Sequence, residues 1–274
     1  MLVFKLIFKG RLEFGSLRAY EMATKHYLSR TETIYRPLDI VLKYEAIFDD
    51  ENFALFIPNN NFVVSQTEKC WKATGDLLRE LAQFAVAGSV KGWLMLEGNL
   101  IDNYVVEPQS EKSVVQDFRL GAKLVKEKGR ETEAKDALTR AIERFQNHAL
   151  AYERRGYINY QLGNFKDALY DFSKSCTINP FQAEAFFGRA RVKMIKQDWA
   201  GALTDFEEAM KKSIALQDFF WKARRGKGEA MMHLKMYKEA AVEFQKFLDR
   251  PFKTDNPNYG WKRSRVGQTI RIDS

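Results

Sequence analysis

Hydrophobic and charged residues alternate along the first stretch of the chain. The apolar positions are Leu2, Phe4, Leu6, Phe8, Leu12 and Phe14, and the charged positions between them are Lys5, Lys9, Arg11 and Glu13. A period of two residues is typical of a strand with one buried face. The pattern predicts a single strand over residues 2–14, or a hairpin bent at Gly10. Ser16 then supplies the N-cap of a predicted helix from Leu17 to Ser29.

The next segments predict a hairpin and a further turn. Residues 40–48 and 53–57 are rich in Ile, Val, Tyr and Phe, and they flank the polar sequence of residues 49–52. Apolar segments around a short polar turn favour an antiparallel hairpin. The three asparagines at 59–61 predict a second turn, and residues 62–64 predict a short strand after it.

The remainder of the first half predicts one amphipathic helix and two strands. Thr67 is the expected cap of the helix, which ends before Gly88 and Ser89 and buries the face formed by Trp71, Leu77, Leu78, Leu81, Phe84 and Ala85. The strands are expected at residues 93–96 and 100–106. We therefore predict a small α+β domain over residues 1–110, an antiparallel sheet with helices near 17–29 and 67–87 on one face. The polar segment at 108–113 is the expected boundary.

One eight-residue sequence motif occurs three times in the second half of the chain. The copies are Phe165–Phe172, Trp199–Phe206 and Tyr237–Phe244, each with an aromatic first residue, an Ala three positions later and an acid just before the final Phe. The Ala positions are 34 residues apart (168 to 202) and then 38 residues apart (202 to 240). A fixed period of this size indicates a repeat array.

These repeats resemble the tetratricopeptide repeat (TPR) family. The best unit runs from Ala149 to Pro180 and keeps Tyr152, Gly156, Gly163, Ala168, Phe172 and Pro180 where that family has aromatic, small, turn, small, aromatic and terminating residues. A weaker first unit begins at Phe118, and a four-residue insertion precedes the last unit. The resemblance implies an all-α helical solenoid of about four helix-turn-helix units over residues 117–250, followed by a basic tail at 251–274.

Packing expectations follow from the small and aromatic positions of the repeats. Helices approach within about 8–10 Å where Gly or Ala lies at the contact. We expect Phe172, Phe206 and Phe244 to fill the space between neighbouring units. The α+β domain is expected to cover the N-terminal end of the array, and Phe252 or Trp261 of the tail to pack on its other end.

Composition and charge limit the kinds of partner. The net charge of +8 is uneven, because residues 1–116 carry 13 Lys and Arg against 15 Asp and Glu, and the remainder carries 31 against 21. The excess of 10 positive charges in the repeats and tail fits a solvated helical surface, an acidic partner or nucleic acid. Cys70 and Cys176 suit buried thiols better than a disulfide framework, which favours the cytoplasm. The sequence has no apolar run long enough for a transmembrane helix.

The candidate catalytic residues form no recognisable motif. His26, His148 and His233 are far apart in sequence and lack ligand partners at metal spacing. We find no nucleophile elbow, phosphate-binding glycine loop or zinc-protease motif. Cys70 lies beside Trp71 on the apolar face of its helix and is expected in the core. No cofactor, metal or catalytic residue is therefore predicted, and the chain is not expected to be an enzyme.

The resemblance to the family places a binding groove on the first helix of each unit. The positions that it puts on the concave face are Glu153, Tyr157, Tyr160, Phe187, Arg191, Met194, Lys222, Arg225 and Met232. Aromatic residues, Met and Arg are enriched at interaction sites. Many relatives grip the acidic C-termini of chaperones with a Lys and Asn clamp. Glu153, Glu184 and Gly188 fall at or near clamp positions here, so this type of binding is not expected.

The sequence thus predicts a protein-protein interaction scaffold that grips a protein segment, acidic or otherwise. Two alternatives remain open at this point. The basic half and the tail, with Tyr259 and Trp261 for stacking on bases, would also suit association with nucleic acid. The α+β domain would alternatively be an unrecognised catalytic unit with the repeats as its targeting arm.

Overall fold

The computed structural model describes residues 4–36, 39–64, 67–96, 99–215 and 217–250, and the side chains of these residues except 59–64, 67 and 68. The expectations for the tail, including Phe252 and Trp261, therefore lie outside the described residues.

The N-terminal half contains a five-stranded antiparallel sheet with the strand order β2-β3-β1-β4-β5. The strands are β1 (Phe4–Glu13), β2 (Phe48–Asp49), β3 (Ala54–Val64), β4 (Ala87–Leu96) and β5 (Asn99–Val106). β1 is the central strand and pairs along its length with both β3 and β4. Of the two alternatives for residues 2–14, the single strand is observed and the hairpin is not, and Gly10 marks a register shift against β3.

Two helices cover one face of this sheet, α1 (Leu17–Thr33) and α3 (Thr67–Ala82). The side chain of Ser16 accepts a hydrogen bond from the Ala19 amide, so the predicted cap of α1 is confirmed. Leu6, Phe8 and Leu12 of β1 are fully buried beneath the helices, among the side chains of one large apolar core. The alternation of residues along β1 thus produces the predicted core on this face, but the expectation of a single buried face is wrong, because Ile7 on the opposite face is also buried.

Three local predictions in this half are wrong. Residues 44–47 form a short helix, α2 (Tyr44–Ile47), where a strand was expected. The ring centroid of Tyr44 lies 4.8 Å from that of Phe48, so aromatic packing takes precedence over strand propensity here. The asparagines at 59–61 continue β3 instead of turning, because β1 is long enough to pair with them. Gly88 lies inside β4, and α3 ends earlier than predicted, at Ala82.

The second half is an array of paired antiparallel helices. The helices are α4 (Ser113–Leu124), α5 (Glu131–Arg144), α6 (Ala149–Gln161), α7 (Phe165–Ile178), α8 (Ala183–Ile195), α9 (Trp199–Lys211), α10 (Asp218–His233) and α11 (Tyr237–Leu248). We number the pairs α4–α5, α6–α7, α8–α9 and α10–α11 as units 1 to 4. Each copy of the repeated motif begins the second helix of its unit. The helical solenoid predicted from the repeats is therefore confirmed.

Glycines let the repeated phenylalanines join one unit to the next. A Cβ placed on Gly188 of unit 3 would lie 2.3 Å from the Phe172 ring of unit 2. A Cβ on Gly226 of unit 4 would lie 2.4 Å from the Phe206 ring of unit 3. Such contacts are too short for any side chain, so each glycine is required by the close approach. The expectation that Phe172 and Phe206 fill the space between units is therefore confirmed.

An ion pair inside units 2 and 3 links the two helices of each unit. Arg155 binds Asp171 with two hydrogen bonds of 2.7 and 3.0 Å, and Arg189 binds Asp205 with bonds of 2.7 and 2.8 Å. Both pairs span 16 residues, and the acid is the one that precedes the repeated Phe. Burial raises the pKa of Asp171, and the Arg155 guanidinium opposes this shift. The repeat thus includes a charged contact beside its apolar ones.

The second face of the sheet packs against the helical array. Ile7, Trp93 and Met95 point away from the α1 and α3 side and cluster with Ile214, which precedes α10. The Phe56 ring lies 4.6 Å from the ring of Phe181, which precedes α8. The sheet was expected to cover the N-terminal end of the array. It lies instead along the loops that lead into the first helices of the later units, because its second face also carries apolar side chains.

Candidate partner-binding surface

Four side chains form a continuous row across the first helices of units 2, 3 and 4. The Arg191 guanidinium of α8 lies 4.1 Å from the ring centroid of Tyr160 on α6 and 5.8 Å from that of Phe187. The centroid of Phe187 lies 6.5 Å from that of Phe219 on α10. We call Tyr160, Phe187, Arg191 and Phe219 the aromatic–arginine row. It connects three units on the side of their first helices.

The spacing of the row follows from helix geometry. Phe187 and Arg191 are one turn apart on α8, so they share a face, and Met194 extends that face by another three residues. A guanidinium at this distance from an aromatic ring makes a favourable cation–π contact of about 0.5–1 kcal/mol at a partly exposed site. All four members of the row are half-buried. Each is held by its neighbours and still presents surface to a partner.

The predicted groove residues of unit 2 differ in their exposure to solvent. Tyr157 and Tyr160 pack at the edge of the cluster around Phe172 and remain half-buried. Glu153 is only 7% exposed and lies 3.3 Å from the Arg154 guanidinium. Burial raises the pKa of Glu153, and Arg154 partly offsets this shift. Glu153 is therefore inaccessible to a partner in this structure, whereas the two tyrosines are within reach.

The predicted groove residues of unit 4 lie on α10 and have charged neighbours. Lys222 pairs with Asp218 at 2.6 Å, and Arg225 pairs with Glu229 at 2.7 Å, each one turn away. Met232, 37% exposed, lies near the end of the same helix. Exposed pairs of this kind contribute little to stability. Both cations are consequently able to exchange their partners for an acidic ligand at small cost.

Sequence reasoning missed Phe219, which completes the row. This residue lies in the first turn of α10, within the insertion that lengthens unit 4. The repeat pattern therefore assigns it no position. The sequence does contain a signal, the three consecutive aromatic residues Phe219-Phe220-Trp221 at the start of a helix. Three successive helical residues cannot all lie on one buried face, so at least one of them is expected on the surface.

The three histidines lie outside the row, and each has structural contacts. His26 lies 2.7 Å from Glu80, which also binds Arg30. His233 stacks on Trp199 with 3.9 Å between ring centroids, and His148 is fully buried. Across the described ranges, no group of three or more His, Cys, Asp or Glu side chains is placed to hold a metal ion. Cys70 and Cys176 are both buried and are not joined in a disulfide.

Comparison with known proteins agrees with this architecture. Residues 122–183 match the family model of the tetratricopeptide repeat. The Protein SGT1 homolog of Bos taurus is 33% identical over 85 residues, which are 31% of this chain and 25% of that protein. This chain thus spans about a quarter of the length of that curated relative.

Solved helical-repeat structures are similar over about half of the chain. MamA superimposes with a TM-score of 0.46 and 20% identity, covering 50% of this chain and 77% of its own. The first TPR of Spaghetti (RPAP3), bound to the HSP90 peptide SRMEEVD, gives a TM-score of 0.42 and 18% identity over 45% of this chain and 94% of its own.

The family match falls where the helix pairs stack. The second half of this chain is a TPR-like array of helix pairs, of which residues 122–183 match the family model, and it is joined to an N-terminal antiparallel sheet with helices on one face. Within the described residues, no helix has the length and apolar character needed to cross a membrane.

Proposed function

We propose that this protein is a non-enzymatic adaptor that binds a protein segment along the aromatic–arginine row. The observation that carries the proposal is the continuity of Tyr160, Arg191, Phe187 and Phe219 over three successive units. A row of this extent matches an elongated ligand better than a compact small molecule. Aromatic and Arg side chains of this kind dominate the binding energy of many interfaces.

The chemistry of the row favours a segment with both apolar and acidic residues. Met194 and Met232 extend the surface with flexible side chains that adapt to irregular ligands. Arg191, Lys222 and Arg225 supply cations on two adjacent first helices. A carboxylate that approaches Arg191 would form a charge-assisted hydrogen bond while the guanidinium stays stacked on Tyr160.

The proposed binding differs from the Lys and Asn clamp of chaperone-binding relatives. Glu184, near one clamp position, binds Lys91 of the sheet at 2.6 Å, and Glu153 is buried beside it. Two acids at these places disfavour the C-terminal carboxylate of a peptide. These observations support a partner held further along the first helices.

The test is affinity capture from a lysate of the native host with three forms of the full chain. The wild type is compared with Arg191→Glu/Arg225→Glu and with a charge-matched control, Lys166→Glu/Lys238→Glu, whose exposed lysines lie on the second helices α7 and α11. We expect a protein retained by the wild type and the control to be absent from the Arg191→Glu/Arg225→Glu capture. All three forms are checked for folding by circular dichroism.

An identical set of retained proteins for all three forms would contradict the proposal. Repeating the capture at rising salt separates a protein partner from nucleic acid. Binding through phosphates weakens steeply with salt, whereas a mainly apolar contact does not. Loss of the retained protein after nuclease treatment would likewise contradict direct recognition of a protein segment.

A further inference from the structure

A small cleft lined by both charged and apolar residues lies where the sheet meets the helical array. It is bounded by β1 and β4 on one side and by the N-terminal ends of α6 and α8 on the other, and its volume is about 60 Å³. One water molecule needs roughly 10–15 Å³ on this scale, so the cleft has room for a group of about four to six non-hydrogen atoms. The cleft is separate from the aromatic–arginine row, none of whose residues lines it.

Gln182 lines this cleft, and its side-chain carboxamide makes no hydrogen bond to any residue that the structure describes. The residue is 6% exposed, and neither its Oε1 nor its Nε2 has a hydrogen-bond partner among the described residues. Its side chain also makes no capping bond to α8, the helix that it precedes. Buried amides are nearly always hydrogen-bonded, because leaving both atoms unpaired is costly. A ligand that accepts one hydrogen bond and donates another would satisfy both atoms.

The charges around the cleft leave one cation without an ion-pair partner. Lys91 binds Glu184 at 2.6 Å, and Arg11 binds Glu13 at 2.5 Å, so these four charges compensate one another. Within the described part of the chain, Lys9 has no carboxylate within ion-pair distance, although Glu184 is near enough to act on it. Burial lowers the pKa of Lys9 to about 8, and the nearby Lys91 and Lys212 act in the same direction. Lys9 therefore remains mainly protonated at neutral pH.

The adjoining helix ends add further donors. α6 and α8, each of 13 residues, begin beside the cleft, which Ala149 of α6 and Glu184 of α8 line. The Ala149 and Ala151 amides already donate to the Asn147 carbonyl and to His148 Nδ1, so the first turns offer an anion the Leu150 and Ala183 amides and the positive end of each helix dipole. Lys9, Gln182 and these helix ends together offer several donors to an anion and one acceptor, the Gln182 Oε1, to a proton on it.

We propose that this cleft binds a phosphate group that retains one proton, held by Lys9, the Gln182 carboxamide and the first turns of α6 and α8. The phosphate oxygens accept from Lys9, from the Gln182 Nε2 and from the helix amides, and the remaining P–OH donates to the Gln182 Oε1. The five atoms of the group match the volume of the cleft. Such a ligand touches both the sheet and the repeats, so its binding stabilises their contact.

The test titrates inorganic phosphate into the full chain by isothermal calorimetry at about pH 6, where inorganic phosphate keeps at least one proton and a phosphomonoester is close to its second pKa. The variants are Lys9→Gln and Gln182→Leu. The matched control is Lys5→Gln, on the same strand and the same face as Lys9 but exposed. We expect the wild type and Lys5→Gln to bind with a Kd of about 1 mM or tighter, and both cleft variants to weaken binding at least about tenfold.

Gln182→Leu keeps the test decisive if Lys9→Gln folds poorly. Leu removes both unpaired amide atoms, so without phosphate this variant should melt at a higher temperature than the wild type. Phosphate should raise the melting temperature of the wild type and leave that of Gln182→Leu unchanged. Absence of phosphate binding by the wild type, or wild-type affinity in Gln182→Leu, overturns the proposal.

Two further ligands define the chemistry of the bound group. Sulfate carries no proton at this pH and should bind more weakly than phosphate, so equal affinity for sulfate overturns the assignment of a protonated phosphate. O-phosphoserine is compared with inorganic phosphate to distinguish the source. Tighter binding of O-phosphoserine assigns the cleft to a phosphomonoester, and tighter binding of inorganic phosphate assigns it to the free ion.

Discussion

The backbone of Gly188 lies so close to the Phe172 ring that a Cβ on Gly188 would stand 2.3 Å from the nearest ring carbon. Phe172 is fully buried, and its ring also faces Gly156 of its own unit, where an added Cβ would lie at 3.1 Å. One aromatic ring is therefore enclosed by two glycines, one from each of two successive units. The tighter contact is the one between units.

Gly188→Ala should consequently destabilise the protein more than Gly156→Ala. The added methyl group at Gly188 requires the ring or the helix to move, and overpacking of this kind costs about 1–3 kcal/mol. At Gly156 the ring needs to yield only slightly, and alanine's better helix propensity offsets part of the strain. Urea denaturation of both variants measures the difference. Equal stabilities would show that the contact between units 2 and 3 is looser than the structure indicates.

The ion pairs inside the units should differ in their tolerance of substitution. Arg155→Leu leaves the buried Asp171 with only the Asn159 amide as a partner, and breaking a buried pair in this way costs about 3–5 kcal/mol. Arg189→Leu leaves Asp205 paired with Lys193 at 2.8 Å, so we expect a smaller loss, within the range of about 0.5–3 kcal/mol for ordinary substitutions. Thermal unfolding of the two variants decides the order. A reversed order would contradict the assigned role of Lys193.

His148 should make stability depend on acid pH. It is fully buried, its Nδ1 accepts a hydrogen bond from the Ala151 amide, and burial lowers its pKa from 6.5 to about 3. Between those two values the unfolded chain binds a proton that the folded chain does not. Stability is therefore lost as pH falls from about 6.5 towards 3, by up to about 1.4 kcal/mol per pH unit.

His148→Asn isolates this effect, because Asn also caps helices and does not titrate. We expect the variant to lose less stability than the wild type between about pH 6.5 and pH 4, measured by urea denaturation at each pH. Parallel curves for the two proteins would mean that other groups govern the acid response.

The contact between sheet and repeats should be separable from the folding of either half. Phe181→Asp/Ile214→Asp places charge against Phe56 and against the cluster of Trp93, and leaves the main core of the sheet and the stacking of the units untouched. We expect the radius of gyration in small-angle X-ray scattering to increase while the circular dichroism spectrum is retained. Tyr170→Asp, at an exposed aromatic of α7, is the control and should change neither measurement.

The sequence allowed the repeats to be predicted well, because each unit repeats the same contact. Ala168, Phe172 and their counterparts face the same surroundings in every unit, so the pattern recurs along the chain. The Arg155–Asp171 pair was also detectable, since Arg189 and Asp205 recur at the same spacing. The acid belongs to the repeated motif, whereas its arginine partner lies on the preceding helix, outside the motif.

The contact between the halves was not predictable from one sequence. Ile7 is an apolar residue on a strand face that otherwise carries Lys5, Lys9 and Arg11, and such an exception does not indicate what it meets. The cleft around Gln182 was likewise not predictable, because its unpaired amide becomes evident only when β1 and β4 are placed beside it. Both features depend on two distant segments meeting, whereas the repeats depend on neighbouring ones.

The sheet contacts the loops before α8 and before α10 at the same time, through Phe56 and through the cluster of Trp93. In a solenoid each unit contacts only its neighbours, so the array can bend and twist along its length. Because the sheet contacts two successive loops, it restrains the bending of units 3 and 4 relative to each other. The curvature of units 3 and 4 is therefore restrained before a partner binds. Less conformational entropy of the array is then lost on binding.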